Sequence, residues 1–212
     1  DKLARPRLAQ SVPLIHAPEA WAAGYAGSGW AVAVLDTGVA KDHPFLAGKV
    51  VSEACYSTTN AGEPCQSVCP GGASESTAAG AAVPPVGGGY GEDFYHGTHV
   101  AGIVAGHDAS SSGVARDGNI IAVQVFSYFP NENPGDRALT WDSDQIRGME
   151  RIYALRNTYK IAAVNMSLGG GKFTTTCDTD ARKAIIDNLR SVGIATVISS
   201  GNNGYTDATG AP

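Results

Sequence analysis

No stretch of the 212 residues approaches the run of roughly 20 apolar residues that a membrane-spanning helix requires, which removes a membrane from the expected partners. The first ten residues, DKLARPRLAQ, have no apolar segment of the kind a secretory leader carries. Charge is sparse as well: 17% of residues are charged, the net charge is −5, and no basic run is long enough to make a nucleic-acid footprint. Metal-ligand spacing is also missing. Cys65 and Cys69 lie four apart with no histidine beside them, and Cys177 is remote, so the four cysteines do not make a zinc tetrad. Nucleotide signatures are absent too: no G-x-G-x-x-G opens a helix after the first strand, and there is no P-loop with its lysine.

What is present is glycine, 27 residues of it, and 43% hydrophobic content, enough for one domain over 1–212 with a sizeable core. Three of the four cysteines fall in 54–92, a stretch rich in Gly, Ala, Ser and Pro with no helix or strand period. That stretch reads as a long surface insertion stapled by a disulfide. Cys55 with Cys69 is the favoured pair because it closes the larger loop, leaving Cys65 and Cys177 without obvious partners. A structural disulfide implies an exported, oxidising setting.

Along the chain, residues 1–19 carry three prolines and read as an extended surface arm, followed by a short helix over 18–25. The apolar run at 30–35 reads as a strand buried on both faces, 119–126 as a second buried strand, and 161–166 and 194–198 as a third and a fourth strand. Between them lie helical patterns at 96–106, from Ser143 as cap through Tyr153, and at about 178–191. This alternation predicts an α/β fold, a doubly wound parallel sheet with helices on both faces.

The chemistry centres on HGTHVAGIVAG, from His96 to Gly106. Histidine titrates nearest neutrality and is suited to general-base work, although a histidine in a glycine-rich segment is often structural. Gly97, Ala101, Gly102, Ala105 and Gly106 leave a helix face almost without side chains, able to lie directly on a sheet. Asp36 ends the first strand, where open α/β sheets place their sites, yet Asp-Thr-Gly after a strand also serves as plain turn chemistry.

Three stretches taken together, AVLDTG at Asp36, HGTHVAGIVAG from His96, and NMSLGGG with SSGNNG from Asn165 and Ser199, resemble the ordered signatures of the subtilisin-like serine proteases. The resemblance runs from about Gln10 onward. It implies that His96 is the general base, that Asp36 orients and stabilises its imidazole, and that Asn202, rather than its neighbour Asn203, donates to the oxyanion. It likewise implies that Ser167, Leu168 and Gly169 hold an extended polypeptide substrate, and that Trp141 lies near a second apolar pocket.

Two features depart from the family pattern. Phe45 stands where many relatives carry a calcium-binding aspartate, and the loop after the His96 helix is a short Ser-Ser-Ser-Gly, so no metal and no cofactor are expected. No serine follows Gly-Thr at the head of a helix, so the nucleophile is expected on a C-terminal fragment of the same enzyme. The resulting expectation is a secreted serine endopeptidase whose serine lies outside these residues. The alternative is a truncated or inactive relative that binds extended peptide without cleaving it.

Overall fold

A computed structural model describes residues 8–87, 90–132, 138–170, 173 and 175–202. In chain order, the helices are α1 (Leu8–Leu14), α2 (Ala17–Ala22), α3 (His96–Ala105), α4 (Asp142–Ala154) and α5 (Lys183–Ser191). The strands are β1 (Ala31–Asp36), β2 (Val50–Tyr56), β3 (Gln66–Ser67), β4 (Glu75–Ser76), β5 (Asn119–Gln124), β6 (Phe126–Tyr128), β7 (Ala138–Thr140), β8 (Ile161–Met166) and β9 (Ala195–Ile198).

One six-stranded sheet runs β4-β2-β5-β1-β8-β9, with every pairing parallel except the short β2–β4 edge. Side chains alternate across a strand, so a strand buried on both faces feeds two cores. In β1, Ala33 and Leu35 join Met149 and Ile152 of α4 and Ile185 and Leu189 of α5. Val34, between them, joins Val100, Ala101 and Ala105 of α3 on the opposite face. β5 divides likewise, Ile121 and Val123 to one side and Ile120 and Ala122 to the other. This is the doubly wound arrangement expected, with helices on both faces.

Several local expectations are corrected. Residues 8–14 form α1 and 17–22 form α2, not an extended arm: Val12 and Ala17 are buried, and this tertiary burial outweighs the helix-breaking cost of Pro13. β2 is a full parallel strand of the main sheet, hidden in the sequence because Ser52 and Glu53 interrupt its apolar run. The insertion is therefore rooted in β2 and returns through two further short strands, β3 and β4. Ser143 does not cap α4. Trp141 holds that position without a side-chain cap bond, and Asp142 and Asp144 supply the negative charge that favours a helix N-terminus. α5 begins at Lys183, because Asp180 bonds the backbone and guanidinium of Arg182 and holds the preceding residues in a turn.

The disulfide is Cys55–Cys69, as expected, with Cα atoms 5.6 Å apart; Cys65 is buried and free, Cys177 exposed and free. Beyond it, the insertion is fastened to β6 through β3, whose Gln66 and Ser67 pair with Tyr128 and Ser127. The buried hydroxyls of Ser57 and Ser127 lie 3.0 Å apart beneath this pairing. No described helix is long and apolar enough to cross a membrane.

Candidate functional site

β1, β8 and β9 are adjacent and parallel, so their C-terminal ends form a row along one rim of the sheet. That rim carries Asp36 at the end of β1, Ser167–Gly169 leaving β8 and the 199–202 loop leaving β9. Open α/β sheets bind their ligands at this rim because the loops there are free of the strand ladder. Three of the four expected clusters are thus brought together by topology alone.

The fourth, His96, arrives on the first residue of α3. Its Nδ1 lies 2.8 Å from Asp36 Oδ1. A carboxylate only accepts, so the proton is on Nδ1 and the free lone pair of the neutral ring is on Nε2. The Asp36 side chain is fully buried while that of His96 is half exposed, which leaves the basic nitrogen accessible. Oδ1 also accepts from the Thr37 backbone N–H at 2.7 Å. Oδ2 is buried with no partner among the described residues. A buried carboxylate with one oxygen unpaired lacks a counter-charge, and a protonated His96 would supply it.

The hydrogen bond to Asp36 raises the His96 pKa above the ordinary 6.5, partial burial opposes the rise, and the Asp36 charge adds to it. A folded-state value above the unfolded one means the protonated ring favours the fold. That stabilisation is complete below the unfolded pKa and is lost as pH rises through the folded one. Base competence runs the other way and appears as the ring loses its proton. The expected result is a His96 midpoint above 6.5 when its ring nitrogens are followed by NMR against pH.

α3 approaches β1 closely because Gly97 has no side chain. A Cβ there would lie 2.4 Å from the Gly38 carbonyl oxygen and 3.0 Å from Asp36 Oδ1. Further along the same helix, the ring of Phe45 lies against Gly102 and Gly106, where a Cβ on Gly106 would meet it at 2.1 Å. Phe45 thus puts a ring where a cation ligand would be needed. Asp108, the nearby carboxylate, spends Oδ1 on the backbone of Ser110 and Ser111 and the hydroxyl of Ser110. These residues do not fit a calcium ion.

At the exits of β8 and β9, Ser199 donates through its hydroxyl to the Leu168 carbonyl at 3.0 Å and through its N–H to Met166 at 3.2 Å. Asn165 donates its amide to the Ser167 hydroxyl at 2.9 Å. Leu168 is buried, Gly169 exposed, and Asn202 exposed at the end of the 199–202 loop; Asn203 lies outside the described residues. Trp141 follows β7 with its ring 6.2 Å from Phe129, while part of the 130–140 loop also lies outside them. His99 is exposed one turn along α3 from His96.

Sequence reasoning missed Thr37 and Asp93. Thr37 Oγ1 donates to the Phe94 carbonyl and accepts from Gly97 N–H, while Asp93 Oδ2 accepts from Ala138 N–H at 2.8 Å and ties the approach to His96 onto β7. The threonine after the acid was visible as turn chemistry; nothing local marked Asp93.

A buried acid bonded to a half-exposed imidazole at the C-terminal rim of a doubly wound sheet is an arrangement with the geometry to hold a general base ready for a hydroxyl nucleophile. The Subtilase family matches residues 27–212, and the chain belongs to that family. It is 29% identical over 202 residues to the Major intracellular serine protease of Bacillus subtilis (strain 168), covering 94% of this chain and 51% of the relative. It is 32% identical over 207 residues to Subtilisin E of the same organism, covering 95% and 42%. The solved structure of S41 Psychrophilic Protease superposes with a TM-score of 0.58 at 23% identity, over 85% of this chain and 48% of that one, which shows the shared fold. The chain spans about half the length of the curated relatives it matches.

Proposed function

We propose that the protein is a serine endopeptidase of the subtilisin type, with the nucleophilic serine on a segment outside these 212 residues. The observation that carries this is the 2.8 Å contact between His96 Nδ1 and the buried Asp36 carboxylate. In the proposed reaction, His96 Nε2 takes the proton of the serine hydroxyl as that oxygen attacks the scissile carbonyl, then passes it to the leaving amine. Asp36 keeps the ring in the Nδ1–H tautomer and stabilises the imidazolium while it exists. Asn202 donates its amide to the oxyanion, and Ser167, Leu168 and Gly169 hold the substrate as an added strand, so that main-chain bonds give affinity and pockets give choice.

Among the described residues β9 is the last strand of the sheet, and its exposure supports a covering segment. Val197 and Ile198, successive residues of β9 that point to opposite faces, are each 53% exposed. An apolar edge strand left open on both faces is a surface another part of a protein normally covers. The buried Cys55–Cys69 disulfide supports secretion, although one relative is named as intracellular.

The test is a serine-directed fluorophosphonate applied to the purified protein, followed by denaturing, non-reducing mass analysis. A labelled serine-bearing segment, together with hydrolysis of an unstructured polypeptide, is the expected result. An unlabelled preparation that binds peptide and leaves it intact would overturn the reading in favour of a non-cleaving relative.

A further inference from the structure

His96 opens α3, and the residue before it, Tyr95, makes no side-chain cap bond. The first N–H groups of a helix have no partner within it and need one from elsewhere. Here the partner comes from another element. The Thr37 hydroxyl, 2% exposed with its residue, accepts from Gly97 N–H at 3.0 Å and donates to the Phe94 carbonyl at 3.1 Å. A hydroxyl has one proton to give, and here it goes to one side of His96 while a lone pair holds the other. The N–H of the same residue donates to Asp36 Oδ1 at 2.7 Å. One residue is therefore bonded to the acid and to the backbone on both flanks of the imidazole.

We infer that Thr37 is a positioning residue: its hydroxyl holds the backbone around His96 at the distance from which Nδ1 reaches Asp36. The half-exposed imidazole has Asp36 as its hydrogen-bonded anchor, so the ring's placement depends on where its backbone is held. Thr98 adds a second tie from the same helix, its hydroxyl accepting from Ala40 N–H at 2.9 Å, but this lies beyond His96 and does not touch the acid. The inference rests on the reading of Asp36 and His96 as acid and base.

The test compares Thr37→Val, which keeps the shape and removes the hydroxyl, with Thr37→Ser, which keeps the hydroxyl. Thr37→Ala removes the same hydroxyl without the branched side chain and serves if the valine protein does not fold. In the full-length protein, the His96 ring titration is followed by NMR beside kcat, KM and Tm. Loss of the hydroxyl should move the His96 midpoint down toward that of a free imidazole and lower kcat by about 10- to 100-fold with KM little changed. Serine should restore both. A fall in Tm with the titration and kcat unmoved would make Thr37 a structural residue only and overturn the inference. If the wild-type protein takes no fluorophosphonate label and cleaves nothing, the peptidase reading fails, while the titration still decides whether Thr37 places His96.

Discussion

Asp36→Asn should lower kcat for peptide hydrolysis by about 10⁴ with little change in KM, a magnitude taken from losses known for triad aspartates, those of this family included, rather than from this geometry. The geometry explains why neither orientation of the new amide can substitute. Thr37 N–H and His96 Nδ1 both meet Oδ1, so an amide oxygen there keeps the right tautomer. That orientation places the NH₂ at the Oδ2 position, which is buried and has no partner among the described residues. It costs about 1–3 kcal/mol for an unsatisfied donor and removes the charge that stabilises imidazolium. The flipped amide points its NH₂ at the Thr37 N–H and drives the Nδ1 proton away, leaving the proton on the nitrogen that should accept from serine. The flipped amide removes the hydrogen bond that is the main cause of the raised His96 pKa, and the unflipped one weakens it while both remove the carboxylate charge, so the ring midpoint should fall in the same protein. Retained kcat, or an unmoved midpoint, would show that Asp36 does not act through His96.

Much of this was legible in the sequence, for physical reasons that differ by element. β1 and β5 are apolar through their middles because both faces are covered, and β8 keeps an apolar run although Ala162 is exposed; such runs announce themselves. β2 was not visible, since Ser52 and Glu53 are tolerated where the strand is only partly covered, and Glu53 accepts from Lys41 and from Gly80 N–H. α1 was misread because Pro13 argues against a helix locally while the burial of Val12 is a tertiary fact. Asp36 and His96 were legible as a pair through the order and wording of their motifs. Sequence separation hides the third participant: Thr37 reads as a turn until α3, sixty residues on, is laid against it.

Gly97→Ala should be among the most damaging single-methyl changes in the protein, and the reason is that its neighbours are backbone. The added Cβ would sit 2.4 Å from the Gly38 carbonyl oxygen and 3.0 Å from Asp36 Cβ and Oδ1, inside contact distance on a strand end that cannot rotate away. Helix propensity favours alanine over glycine by about 1 kcal/mol, and this gain is overwhelmed. The start of α3 must lift from β1, breaking the Gly97 N–H to Thr37 bond and lengthening the His96 to Asp36 contact. Overpacking of this kind costs about 3 kcal/mol, a fall in Tm of roughly 6–12 °C for a domain of this size. A displacement of about 1 Å at a reacting pair costs about 10² in rate, so kcat/KM should drop by at least that factor in whatever protein still folds. Gly102→Ala, on the same helix, is the matched comparison: its Cβ would lie 3.4 Å from the Phe45 ring, an ordinary contact, and its stability should change by less than about 1 kcal/mol. Thermal melts and kcat/KM measured side by side separate the two. Equal behaviour would mean that the close approach at Gly97 does not govern how α3 presents its histidine, whereas a damaged Gly97→Ala beside an intact Gly102→Ala locates the requirement at the single point where helix, strand end and acid meet.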